Sequence, residues 1–183
     1  MLLLCHKPQV VTRCFTIKPY LSQQTLKLIY YSYFHAIMSY GIIFWGHATN
    51  AIKVFKLQKR ILRIMTGCSM RESCKKLFVE QKILTLPSLY IFQLIKFVNR
   101  NEELYLTNNK IHNHNTRHNK NLHQPVANFT QYQNGVLYKG TKMYNSLPSY
   151  IKKESSNTKK FAKVLKEYLY ENAFYTLEEF YKH

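Results

Sequence analysis

Aspartate is absent from the 183 residues, and the nine acids are all glutamates set against 27 lysines and arginines. Two-metal phosphoryl transfer, an aspartic dyad and a Ser-His-Asp triad all rest on clustered aspartates, so each starts here without its usual carboxylate. The glutamates do not replace it. Glu72 and Glu80 stand alone, while Glu102, Glu103, Glu154, Glu167, Glu171, Glu178 and Glu179 fall in stretches that read as polar loops or exposed helix faces. No catalytic residue is assigned, and no autonomous enzyme is expected.

Long apolar runs are missing as well. Lys27, His35 and Ser39 interrupt the longest candidate before it reaches the roughly 18 residues of a membrane span, and residues 2–4 are too short for a signal-peptide core. No membrane span is therefore expected, and no membrane partner is assigned. Cys5, Cys14, Cys68 and Cys74, without a secretory signal, read as reduced intracellular thiols. A zinc site made from Cys68, Cys74, His112, His114 and His118 has poor spacing, with five residues between the thiols and a whole apolar helix before the histidines. No metal ligand is assigned. Nothing pairs a thiol with an orienting base, and Gly135 and Gly140 do not form a phosphate-cradling loop.

What is abundant is positive charge. The formal net charge is +18; residues 1–100 hold fifteen basic and two acidic side chains, and residues 101–183 hold twelve and seven. Such a chain attracts polyanions, nucleic acid first and anionic membrane surfaces next. An A/T-rich codon bias is a second source of the excess, since lysines outnumber arginines 21 to 6. A compact domain of this length buries roughly 70% of its unfolded surface, so one domain, or one with an appendage, is expected.

Residues 22–44 read as one long buried helix, with a start signal at Ser22 and then Leu26, Ile29, Tyr30, Tyr33, Ile37, Tyr40, Gly41 and Phe44 at spacings of three and four. Trp45 and Gly46 end it. Thr49 or Asn50 can cap a second helix that runs to Thr66, with Gly67 as a left-handed stop. Its apolar stripe includes Ile52, Phe55, Leu62 and Met65. Ser69 and Glu72 have capping-box spacing for a short third helix carrying Cys74, Leu77 and Phe78 inward. Pro87 suits the first turn of a fourth, apolar nearly all round from Leu89 to Val98 and so central to a bundle. From Asn99 to about Gln124 the chain is rich in asparagine and histidine and reads as a loop. Asn134-Gly135 signals a hairpin turn within residues 126–138. One or two helical turns are expected over residues 140–145. An amphipathic helix follows over residues 158–170, Phe161, Leu165, Tyr168 and Leu169 facing Lys159, Lys163 and Lys166. A capping box at Thr176 opens a last short helix.

The second helix carries the strongest functional pattern. Lys53, Lys56, Arg60 and Arg63 follow at spacings of three, four and three on one face, with Lys59 on its flank and no acid among them. A helix that needed only a solvated face would interleave glutamate. These five residues are the candidate nucleic-acid-binding set, making phosphate contacts that position a backbone without reading sequence. The 26 tyrosines and phenylalanines could stack on bases, but they recur at helical spacing and read as core.

The run TLKLIYYSYFHAIMSYGIIFWG at residues 25–46, followed by LQKRILRIMTG at residues 57–67, resembles the C-terminal part of reverse transcriptases of jockey-like non-LTR retrotransposons. RESC at 71–74, LF at 77–78, ILTLPS at 83–88, HNTR at 114–117, YNSLP at 144–148 and NAFYTLEEF at 172–180 continue it in the family's order, over about residues 17–183. The resemblance implies that residues 22–67 are thumb helices gripping an RNA/DNA template-primer duplex. The endonuclease, the fingers and the palm, whose aspartates hold two Mg²⁺, would precede residue 1. The chain is accordingly expected to be a truncated copy, without cofactor or catalysis of its own, acting inside the cell and, by resemblance, in the nucleus. The expected fold is mainly α: an N-terminal segment (1–21), a small thumb-like helical bundle (22–100), a polar loop (101–124), and a C-terminal region (125–183) with a short hairpin and amphipathic helices. The alternative is an independent or co-opted helical protein that binds nucleic acid or another partner.

Overall fold

A row of apolar side chains at every fourth position organises the first helical run. The structure is a computed structural model and describes residues 18–69, 71–111 and 121–183. Cys5, Cys14, Met70, His112, His114, Arg117 and His118 lie outside the described residues. Ser22 Oγ accepts the Thr25 N–H at 3.2 Å and so opens α1 (Gln23–Ile29), which passes through a π-helical segment (Tyr30–His35) into α2 (Ala36–Ser39). Leu26, Tyr30, Phe34, Met38 and Ile42 are buried. In an ideal α-helix such a row drifts by about 40° per step; the wider π turn takes up that drift and keeps the row on the core. The expected stripe through Tyr33, Tyr40 and Phe44 is corrected, for all three are exposed. So is the single helix to residue 44. Tyr40 is extended and Gly41 is left-handed at φ 58°, a conformation a side chain would strain, and the chain turns there into α3 (Ile42–Trp45).

The second helix, α4 (Ala51–Thr66), ends at Gly67 with φ 80° as expected, and the N–H groups of Gly67 and Cys68 both reach the Arg63 carbonyl. Asn50 holds the N-cap position without a side-chain bond. Ile52, expected in the apolar stripe, is 56% exposed. The short helix α5 (Cys74–Glu80) does bury Cys74, Leu77 and Phe78, but its cap is Ser73, whose Oγ accepts the Lys75 N–H. Ser69 instead closes a turn by accepting the Glu72 N–H at its carbonyl.

Thr85 caps α6 (Leu86–Arg100) by accepting the Ser88 N–H at 3.1 Å, and Pro87 lies in the first turn, where its missing N–H costs nothing. This helix is the centre of the molecule. Leu89, Tyr90, Ile91, Leu94 and Ile95 are buried around most of its circumference. The polar stretch after it holds a 3₁₀ turn (Glu102–Leu104), α7 (Asn108–Ile111) and an isolated antiparallel bridge between Thr107 and Leu122.

The hairpin is corrected too. Residues 126–138 contain α8 (Thr130–Gln133) and the start of α9 (Val136–Asn145), and among the described residues there is no strand. Gly135 has φ −65° and N-caps α9, not the left-handed geometry of a two-residue hairpin. Packing decides this. Met143 is buried, and a Cβ on Gly140 would stand 2.7 Å from Val98 Cγ2, so the bare face of α9 lies close on α6.

The chain finishes with α10 (Ser149–Lys152), α11 (Thr158–Asn172) and α12 (Leu177–Lys182). In α11 Phe161, Leu165, Tyr168 and Leu169 are buried and Lys159, Lys163 and Lys166 exposed. Thr176 caps α12 by accepting the Glu179 N–H, and Glu179 Oε2 accepts the Tyr175 N–H. α6 packs most extensively on α9 and α11. Thr85 Oγ1 donates to the Phe174 carbonyl and Asn99 Nδ2 to the Ser155 carbonyl, so α6 and α11 run antiparallel. One apolar core extends from Leu26 to Phe180 and joins segments 22–100 and 125–183. The fold is mainly α.

Candidate nucleic-acid interface

One half of the α4 cylinder is committed to the core and the other to solvent. Ala51, Val54, Phe55, Gln58, Ile61, Leu62, Ile64 and Met65 are buried. Gln58 is the one polar member, fully enclosed, and its amide is satisfied: Nε2 donates to Tyr30 Oη at 2.9 Å and to the Leu84 carbonyl at 2.8 Å, while Oε1 accepts the Leu86 N–H at 2.9 Å. One side chain thereby pins α4 to the π segment and to the start of α6. The rotation of α4 about its axis is fixed, and with it the direction of the opposite face.

On that face the five candidate residues divide into two groups. Lys53, Lys56 and Arg60 are exposed. Lys59 and Arg63 are half-buried and already engaged. The Lys59 ammonium lies 4.8 Å from the Phe55 ring centroid and 5.3 Å from that of Tyr175, and Arg63 donates from Nε at 3.1 Å and Nη2 at 2.7 Å to the Glu72 carbonyl. A guanidinium has five N–H donors, so Arg63 keeps some free. Among the described residues the ion pairs are Lys75–Glu179 and Lys160–Glu154, and none involves α4.

Tyr175 is the neighbour that local pattern does not reveal. Its ring stands edge-on to Phe55 at 5.1 Å and meets both Lys59 and Lys75. No sequence signal links it to α4, because they meet only when the chain after α11 folds back across α5. Cys74 sits beside the same cations: burial pushes its thiol up, with Arg63 and Lys59 pulling the other way. It is a buried thiol that also contacts the Lys59 carbonyl at 3.7 Å, a structural cysteine more than a reactive one.

Among the described residues no group of three His, Cys, Asp or Glu could hold a metal ion, and the histidines of the zinc pattern fall outside them. Among the same residues no helix is long and apolar enough to cross a membrane. Compared with protein-family models, with curated proteins and with solved structures, the chain gives no match.

Proposed function

We propose that this chain is a nucleic-acid-binding helical domain, the thumb and downstream part of a non-LTR retrotransposon reverse transcriptase, which grips an RNA/DNA template-primer duplex without regard to sequence. The observation that carries the reading is the acid-free row Lys53, Lys56 and Arg60, exposed on a helix whose rotation a buried amide fixes. Cations gathered on one face of a helix can contact a phosphate backbone, and phosphate contacts supply affinity without sequence information. Arg63 and Lys59 extend the row at its flank. The retrotransposon origin rests on the motifs at residues 25–46 and 57–67, and action in the nucleus is proposed on that resemblance alone.

Catalysis is not part of this reading, since a chain without aspartate lacks the carboxylates that a polymerase uses to hold Mg²⁺. Incorporation of dNTPs on a primed template is expected to be blank, and Mg²⁺-dependent synthesis would overturn the account. For binding, a fluorescently labelled RNA–DNA duplex of arbitrary sequence should be retained. Charge reversal at Lys53, Lys56 and Arg60 should abolish retention; unchanged affinity would show that α4 is not the binding face.

A further inference from the structure

A second row of cations lies on two helices that pack against one another, α6 and α11. On α11 Lys159, Lys163 and Lys166 follow at spacings of four and three, which places them on one face together with Tyr170. All three lysines are exposed. On α6 Lys96 and Arg100 are four apart, Lys96 half-buried and Arg100 exposed. The hydrogen bonds at both ends of the α6–α11 pair hold these helices side by side and antiparallel, so the two rows run along one another.

Two of the cations are held in place by aromatic rings. The Lys96 ammonium lies 5.7 Å from the Phe92 ring centroid and that of Lys166 lies 5.6 Å from Tyr170. They are also close to each other: the Lys96 ammonium is disfavoured first by burial and then by Arg100 and Lys166. His35 on the π segment is pushed down by burial and then by Lys166. Glu167 and Glu171 are exposed on α11; Glu167 is four residues from Lys163 and about 40° round the helix from it, at the edge of the row, and Glu171 lies about 80° from Lys163. None of these cations is ion-paired among the described residues; the one pair on α11 is Lys160–Glu154, off the row. A surface shaped only for solubility would spread or pair its charges. Here like charges are gathered and two of them fixed, an arrangement that a bound polyanion would relieve.

We propose that Lys159, Lys163 and Lys166 on α11, with Lys96 and Arg100 on α6, form a second surface that contacts the phosphate backbone of a nucleic acid. The identity of the ligand rests on the reading of α4 given above. The surface itself is built from other helices and stands or falls separately. Apart from half-buried Lys96, its cations are exposed on helices whose buried sides make the core, so neutralising those leaves the packing intact.

The test uses the full chain and fluorescence anisotropy with a labelled RNA–DNA duplex and with a labelled single-stranded RNA of the same length, over a salt titration. One variant neutralises α4 (K53Q, K56Q, R60Q) and another the second surface (K96Q, R100Q, K163Q, K166Q). The second set should lower the slope of log affinity against log salt by about three to four units on at least one probe, and combining the sets should lower it further. If it changes neither slope nor affinity while the α4 set lowers both, the inference fails and the reading of α4 stands. If neither set changes binding, both fail. Sedimentation with phosphatidylserine vesicles is the third arm; loss of vesicle binding in the second set, with nucleic-acid binding unchanged, would overturn the assignment to nucleic acid. Should the fourfold variant fold poorly, K163E with K166E reverses two exposed charges and should weaken binding in the same direction.

Discussion

Replacing Gln58 with leucine keeps the size of the side chain and removes everything polar about it. The Leu86 N–H loses its acceptor, and the Leu84 carbonyl and the Tyr30 hydroxyl lose a donor, all in a fully buried setting. A buried polar group left unsatisfied costs about 1–3 kcal/mol. Three such groups give roughly 3–9 kcal/mol, offset by about 1–2 kcal/mol from the added apolar burial, so a net loss of about 3 kcal/mol, towards the low end of that range, is expected. Against a total stability of about 5–15 kcal/mol this is a large fraction. For a chain of this length it corresponds to a fall in melting temperature of about 6–12 °C, measured by circular dichroism at fixed salt. Tyr30→Phe alone should cost about 1 kcal/mol, because it deletes only one of the three bonds. In the Gln58→Leu background the same change should be neutral or favourable, since the hydroxyl is already orphaned. A melting temperature within about 2 °C of wild type, or strict additivity of the two substitutions, would refute the argument that this amide anchors α4.

Gly46 offers a steric test: an added Cβ would stand 2.4 Å from Tyr90 Cδ2 and 2.8 Å from the Ile42 carbonyl, so Gly46→Ala should destabilise by about 2 kcal/mol or more through overpacking, read from urea midpoints. Thr85→Val removes the cap of α6 and the donor to Phe174 O, and a loss of about 2 kcal/mol is expected in the same assay; a change below about 0.5 kcal/mol would contradict it. Burial pushes the phenols of Tyr31, Tyr105, Tyr175 and Tyr181 up to about 12. A folded-state value above the ordinary 10 means their contribution to stability is fully present below pH 10 and lost as pH rises towards 12. Urea midpoints should therefore fall across that window, and a flat profile would show these phenols to be solvated.

Local chemistry is legible wherever the signal and its partner sit within one turn. Ser22, Gly67, Pro87 and Thr176 each do what their residue type suggests, because capping and left-handed stops are settled by the backbone beside them. Expectation and structure part where packing overrides the local signal. Asn134-Gly135 carries a hairpin signal, yet the small face around Gly140 fits closely on Val98 and the segment becomes α9. Ser69 and Ser73 are both suited to capping, and only the inward placement of Cys74, Leu77 and Phe78 selects Ser73. Tyr33, Tyr40 and Phe44 fall outside the buried stripe because a π turn changes the periodicity on which such a stripe is counted. For the interface, periodicity alone picks out Lys53, Lys56 and Arg60, since a solvated face is set by the helix itself. The engagement of Lys59 with Tyr175 and of Arg63 with the Glu72 carbonyl depends on segments brought in by the tertiary fold, and so does not show in the sequence.

The most direct test of the central claim is the salt dependence of binding to an RNA–DNA duplex for the wild-type chain and for the K53Q, K56Q, R60Q variant. Removing the three cations that meet phosphates should lower the slope of log affinity against log salt by about three units, equally on duplexes of unrelated sequence. An unchanged slope, or a weakening confined to one sequence, would contradict a backbone-gripping role for α4.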